Sequence, residues 1–481
     1  MGRWAPKEVQ LGIANIADQI ARVIDDTQAS AREMMEPVVR LGVTGLSGAG
    51  KTVFITSLVA NLLDRGRMPQ LQAAAEGRVM AAFLQPQPDD TVPRFDYETH
   101  LASLTGKSPT WPSSTRSISQ LRLSLRLRPA GMLASMRGAK TVHIDIIDYP
   151  GEWLLDLPLL SQSYASWSEK TVQQARSPAR ASQAEGWLAQ LEGCDPTQPH
   201  DEPLAQDLAK GFTEYLAKSR AAGFSAFAPG RFLLPGDLQG SPALTFAPLP
   251  KPDRPRNGML YVEFERRFEA YKKKVVKPFF RDHFSKIDRQ VVLVDALGAI
   301  NAGPQAVEDL RGAMADVLTC FRPGKNHWLS GIMGKKVEKI LFAATKADHL
   351  HHSQHPQLTA FLEALLRDAK DRADFRGATT QAMAIASLRA TVEQRVNHNG
   401  SDLDCVRGIS ADGNEIAMHL GDLPDDPAHL LTPARQGASE WVSEDFNLTE
   451  FAPPVLTRKR GDGLPHIRLD KAAEFLIGDK L

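Results

Sequence analysis

The chain has 481 residues, more than one ordinary domain needs, so two or three modules are expected. Apolar residues make up 42% and charged residues 24%, which fits a soluble globular protein with material for a sizeable core. Lysine plus arginine and aspartate plus glutamate both number 57, so the global basic excess of a nucleic-acid binder is missing and no nucleic-acid partner is expected.

The opening Met-Gly-Arg-Trp-Ala-Pro-Lys has no apolar core behind its charge and lacks the Ser or Thr of a myristoylation motif, so neither a secretory signal nor that lipid is expected. Residues 8–35 place Val9, Ile13, Ile16, Ile20, Ile24 and Met34 mostly three or four apart, the pattern of an amphipathic helix packed on the domain that follows. Its polar face is mixed in charge, unlike that of a membrane-surface helix. No run approaches the roughly 18 apolar residues of a membrane span, although peripheral membrane contact stays open. Cys194, Cys320 and Cys405 lie far apart, with neither a disulfide framework nor a metal pair. A reducing, cytoplasmic setting is the simplest expectation.

Pro37 ends the first helix. Residues 38–44, Val-Val-Arg-Leu-Gly-Val-Thr, read as a buried strand; residues 45–52 follow as a glycine loop and 53–63 as a helix. Residues 66–116 have little periodicity and read as a long, partly mobile connection. Residues 121–127 alternate strictly, as a half-buried strand does, and 141–147 form a second strand after a turn. Residues 153–285 read as mainly helical with Pro/Gly-rich breaks such as 229–240. There Lys272, Lys273 and Lys274 form a solvated face over a core stripe of Phe264, Phe268, Tyr271, Val275 and Phe279. Strand signals return at 290–294, 337–344 and 382–386, with helices at 304–319 and 357–373 between them.

This alternation implies an α/β fold, a mostly parallel sheet with helices on both faces. The expected organisation is an N-terminal helix at 1–36, a core in two parts at 37–152 and 286–400, a mainly helical inserted domain at 153–285, and a C-terminal extension at 401–481. The extension carries hairpin signals such as Asp412-Gly413.

Residues 45–52, Gly-Leu-Ser-Gly-Ala-Gly-Lys-Thr, fit G-x-x-x-x-G-K-[ST], a P-loop (Walker A). Glycines let the backbone wrap round phosphates, so N–H groups of Ser47, Gly48, Ala49, Gly50, Lys51, Thr52 and Val53 can meet anionic oxygens, aided by the helix dipole. Lys51 reaches the β- and γ-phosphates and the Thr52 hydroxyl ligates Mg2+. Asp148-Tyr-Pro-Gly151 ends a strand and fits D-x-x-G: Asp148 holds Mg2+ through water, and the Gly151 N–H senses the γ-phosphate. Thr345-Lys346-Ala347-Asp348 fits [NT]-K-x-D. Its carboxylate offers two acceptors to the two donors on the guanine edge, which adenine cannot match, while the Lys346 stem lies along the base. Ser387 and Leu388 follow the next strand, where an S-A-[KL] element gives a backbone N–H to the guanine carbonyl.

Trp111-Pro-Ser-Ser-Thr-Arg116 precedes the 121–127 strand, where a first switch belongs. Thr115 is the candidate second Mg2+ hydroxyl with Ser114 as rival. Arg116 is either a surface arginine or a finger supplied in cis. His349, His351, His352 and His355 cluster after Asp348 and read as an exposed loop rather than a metal site.

In this order the motifs resemble the P-loop NTPase core of Ras-like GTPases. Together with residues 148–153, 229–242, 466–470 and 475–479 they resemble the YcjX-like family of bacterial stress-associated GTPases over most of the chain. That resemblance implies GTP and GDP binding, Mg2+ as cofactor, a helical domain beside the core, a stress-response role and an unidentified protein effector. One departure stands out: Glu152 occupies the place after D-x-x-G where many GTPases carry a water-orienting Gln, so hydrolysis assisted by Glu152 or Arg116 is expected to be slow. Two other readings stay open, a nucleotide-dependent interaction protein with negligible turnover and a P-loop phosphotransferase.

Overall fold

The computed structural model describes residues 36–45, 48–113, 117–129, 138–226, 228–321, 337–373, 378–398, 400–438, 440–441, 446, 448–457, 459 and 461–481. The expected helix at 8–35 lies outside them. Strand β1 (Val38–Gly45) runs into helix α1 (Lys51–Asp64). A short helix α2 (Gln72–Ala75), strand β2 (Val79–Gln85) and helix α3 (Tyr97–Thr105) follow, so the expected loose connection at 66–116 is in part regular. Strands β3 (Ser119–Leu127) and β4 (Lys140–Asp148) complete the first part of the sheet.

After a 3-10 segment (Gly151–Ser161), helices α4 (Tyr164–Ala175), α5 (Ala181–Glu192), α6 (Glu202–Ala221), α7 (Leu260–Tyr271) and α8 (Lys277–Asp282) precede strand β5 (Arg289–Val294). Helices α9 (Ala296–Asn301) and α10 (Pro304–Cys320), strand β6 (Lys339–Ala344), helix α11 (His355–Ala373) and strand β7 (Thr379–Ala384) finish the alternating part. Strands β8 (Val392–His398), β9 (Ser401–Ile409) and β10 (Glu415–Met418) form a separate antiparallel sheet, with Gly413 at φ 83° turning the last hairpin.

Among the described residues the main sheet has seven strands in the order β2-β3-β4-β1-β5-β6-β7. The β2–β3 and β3–β4 pairs are antiparallel and the other four are parallel. Because side chains alternate across a strand, the parallel strands feed two cores. Val291, Leu293, Leu341 and Ala343 join α1 on one face; Val292, Val294, Ile340, Phe342 and Ala344 join α10 and α11 on the other. Burial on both faces also holds for β3: only Arg126 is exposed, so the expected half-buried strand is a nearly buried one.

The second core continues without a break into the helical segment. Trp167 stacks on Phe268 with ring centroids 4.9 Å apart, and Trp187 stacks on Tyr215 at 5.1 Å. The expected stripe of Phe264, Phe268, Tyr271, Val275 and Phe279 is buried there. The chain end grips the strands at their starts. Arg289 is fully buried and donates to the Leu476 carbonyl and to Asp479, each at 2.9 Å, while Lys339 reaches Asp479 at 2.7 Å and Lys140 the Lys480 carbonyl at 2.9 Å. Those contacts leave the opposite edge, where parallel strands end, open as a crevice, the usual ligand position in such sheets.

Candidate functional site

β1 lies in the middle of the sheet and stops at Gly45. Two residues of the loop beyond it, Gly48 and Gly50, both have φ 73°, a left-handed conformation that glycine adopts at no steric cost. A Cβ on Gly50 would meet nothing within 4 Å, so backbone conformation rather than space selects glycine there. Gly50 caps α1 without a side-chain hydrogen bond, and the first turn carries no acidic residue. The leading N–H groups and the positive end of the helix are therefore suited to an anion. Ala49, Lys51, Thr52 and Val53 all line the same cavity as these glycines. Ser47 lies outside the described residues.

β4 pairs with β1 so that Asp148 stands beside Val43. Its carboxylate is buried, and neither oxygen has a hydrogen-bond partner among the described residues. Lys51 Nζ comes to 3.6 Å, an ion pair beyond hydrogen-bond reach. Leaving a buried carboxylate without hydrogen bonds is costly. Together with the Thr52 hydroxyl, it supplies the hard oxygen donors that suit Mg2+. Thr52 Oγ1 itself lies 3.5 Å from the Ser113 carbonyl, so the first-switch candidate segment approaches the loop. Ser114, Thr115 and Arg116 lie outside the described residues. Trp111 is described and donates from Nε1 to the Phe451 carbonyl at 2.8 Å.

Gly151 sits against the loop: a Cβ there would come within 2.2 Å of the Gly45 carbonyl oxygen. The next residue, Glu152, is buried and its Oε1 lies 3.2 Å from Arg220 Nη2 at the end of α6. No sequence signal marked Arg220, since one arginine in an amphipathic helix looks like any other. Both residues line the cavity.

At the far side, β6 leads into Thr345, whose N–H donates to the Val294 carbonyl at 3.0 Å. Lys346 takes a left-handed φ of 61°, and its Nζ meets Asp295 Oδ2 at 2.7 Å. Asp295 directly follows β5, and no sequence motif marks it. Asp348 is buried, and its Oδ2 accepts the Ala390 N–H at 2.7 Å. Ser387 and Leu388 follow β7, both buried, and line the cavity with Thr345, Lys346 and Asp348.

The expected exposed histidine loop is largely buried instead. His349 and His355 are buried, and the His355 ring nitrogen Nε2 lies 2.7 Å from the Ala347 carbonyl, which ties the turn to α11. Burial pushes the His349 imidazole below its usual range despite Asp348, so a neutral ring sits edge-on to Phe451 at 5.2 Å. His351, His352 and Glu393 bring ligand atoms within 4.8 Å of one another, but Glu393 is already paired with His352 at 2.8 Å and Arg389 at 3.5 Å.

Lys51, Thr52, Glu152, Arg220, Thr345, Lys346, Asp348, Ser387 and Leu388 line one cavity of about 590 Å3, within the ordinary size range of ligand clefts. Glu450, Phe451, Ala452 and Pro453 complete its wall, so a segment with no functional motif of its own lines the site. Among the described residues no helix is long and apolar enough to cross a membrane, and the three cysteines are free.

Comparison with known proteins agrees with this architecture. The family model described as YcjX-like family, DUF463, matches residues 39–481. A protein of Escherichia coli strain K12 named Ras-like GTPase YcjX is 38% identical over a 477-residue alignment that covers 96% of this chain and 99% of the relative. Its namesake in Shewanella oneidensis strain MR-1 is 35% identical over 489 residues, covering 96% and 98%. With a mostly parallel sheet covered on both faces and a glycine loop leading from β1 into α1, the fold is that of an α/β P-loop NTPase, and the chain belongs to the YcjX-like family.

Proposed function

We propose that this chain binds guanine nucleotides with Mg2+ and hydrolyses GTP slowly to GDP, acting as a nucleotide-dependent switch in the stress response that its resemblance implies. The observation that carries the reading is a single cavity lined by Lys51 and Thr52 together with Thr345, Lys346, Asp348, Ser387 and Leu388. A phosphate chain on the loop would leave the base at the carboxylate. The names of both relatives support the reading.

In this mechanism Lys51 moves from Asp148 to the β- and γ-phosphates, a stronger partner for its ammonium. Thr52 and Asp148 would hold Mg2+, which when bound would spread the charge developing on the transferred phosphoryl group. The Gly151 N–H faces the γ-phosphate, and hydrolysis needs little more from the protein than positioning and charge stabilisation. Asp348 selects guanine. An interaction protein with negligible turnover is the second reading, favoured by the Glu152–Arg220 pair, which ties up the carboxylate that would orient water.

Phosphate release from GTP under single-turnover conditions separates the two. Lys51→Ala is expected to slow release by roughly 100- to 1,000-fold, the usual cost of removing one charge-stabilising donor. Unchanged release in that variant rules the assignment out. Wild-type release no faster than in a Thr52→Ala control favours the non-hydrolysing reading.

A further inference from the structure

The helical segment between β4 and β5 does more than pack beside the site. Arg220 stands in the last turn of α6, and its guanidinium reaches Glu152, the residue directly after Gly151. Side-chain exposure is 28% for Arg220 and 7% for Glu152, so the pair is largely withdrawn from water, and both residues face the cavity with Lys51 and Thr52. Glu152 has little freedom to leave. A Cβ on Gly230 would come within 2.1 Å of the Glu152 carbonyl oxygen, and one on Gly151 within 2.2 Å of the Gly45 carbonyl oxygen. The helical segment thus holds Glu152 twice, by its backbone at Gly230 and by its carboxylate at Arg220.

That geometry creates an electrostatic problem. A fixed carboxylate beside the phosphate loop repels the last phosphate of a triphosphate, and weak screening in a part-buried site magnifies the repulsion. Lys51 already faces a second carboxylate, Asp148. We propose that Arg220 is the charge-compensating residue of the nucleotide site: it neutralises Glu152 and lends positive charge to the terminal phosphate, so that the site accepts a nucleoside triphosphate. A guanidinium carries five donors, enough to hold a carboxylate and meet a phosphate oxygen together. A diphosphate ends short of this group, so Arg220 discriminates between the two nucleotide states and couples the helical segment to them. The inference rests on the reading that the cavity takes guanine nucleotides.

Full-length wild type, Arg220→Gln, Glu152→Gln and the double variant are titrated calorimetrically with GDP and a non-hydrolysable GTP analogue, each with Mg2+. Arg220→Gln should weaken the analogue roughly 10- to 100-fold while leaving GDP within about threefold, a retained GDP affinity that also reports a folded site. Adding Glu152→Gln to that variant should restore most of the loss, because the repelling charge is gone. Glu152→Gln alone, which keeps Arg220, should tighten the analogue relative to GDP, and this arm decides the matter if Arg220→Gln does not fold. Equal weakening of both nucleotides, no recovery in the double variant, or an unchanged ratio in Glu152→Gln overturns the inference. A wild type that binds neither guanine nucleotide overturns the site reading itself.

Discussion

Asp348 has two demands on one carboxylate. Its Oδ2 already accepts the Ala390 N–H, while the two donors of a guanine edge call on both oxygens. An oxygen with two lone pairs can meet both demands, but the backbone contact fixes which way the group faces. In Asp348→Asn the carbonyl oxygen should stay on the Ala390 N–H, which turns the amide NH2 toward the base. An amide donor there repels the guanine exocyclic amine and suits the carbonyl of xanthine. We predict that GTP affinity falls by roughly 10- to 100-fold, the worth of a charge-assisted hydrogen bond, and that xanthosine triphosphate gains. Competition binding reads this directly, and an unshifted preference means that Asp348 does not read the base.

Single residues were legible as candidates wherever a motif fixes both type and place, as at Lys51, Asp148 and Asp348. Asp295 and Arg220 were not, because their roles come from neighbours distant in sequence: Lys346 for the first, Glu152 for the second. Nor could spacing show that the carbonyl of Phe451 takes the indole N–H of Trp111, 340 residues away.

Elements whose pattern matches their burial were readable. Strands β5 and β6 end in continuous apolar runs, residues 291–294 and 340–344, because both faces are covered there. Strand β2 was missed because an edge strand has one partner and much of it is only part-buried, so Val-Met-Ala-Ala-Phe-Leu-Gln shows no alternation. The 3-10 segment that begins at Gly151 is tied to the helical region at several points. Arg231 lies 3.1 Å over the Trp153 ring, and the buried Asp156 accepts from the Gly230 N–H and the Tyr271 hydroxyl, both at 2.6 Å.

Burial raises the Asp156 carboxyl to about 7, against the pull of those two donors. The folded state therefore binds this proton more tightly than the unfolded chain. Its contribution to stability is greatest below the ordinary value of 3.8 and is lost as the pH rises to about 7. At about 1.4 kcal/mol per pKa unit the loss amounts to a few kcal/mol. Asp156→Asn removes the titration, so the change in urea stability between pH 5 and pH 7.5 should be less negative in the variant than in wild type. Identical pH profiles would show that Asp156 ionises normally in the folded protein.

At the scale of the whole molecule, the alternation of strands and helices was enough to give a mostly parallel sheet with helices on both faces. How the remaining chain attaches to it was not. The second core runs from the sheet into the helical segment as one cluster, and the chain end returns to clamp Arg289, Lys339 and Lys140 at the starts of three strands. These contacts join residues 136 to 340 positions apart, a range at which periodicity says nothing. Their consequence is an arrangement with one end of the sheet locked and the other open, where the glycine loop and the turn at Thr345, Lys346 and Asp348 share a cavity.

Calorimetric titration of the full chain with GDP, a GTP analogue and ATP, each with Mg2+, tests that arrangement most directly. The predicted result is tight binding of both guanine nucleotides and ATP weaker by about 1,000-fold or more, as expected for a pocket whose buried acceptor is left unpaired by adenine. ATP binding as tight as GTP binding would contradict it, leave residues 345–348 without a base-reading role, and return the chain to the phosphotransferase reading.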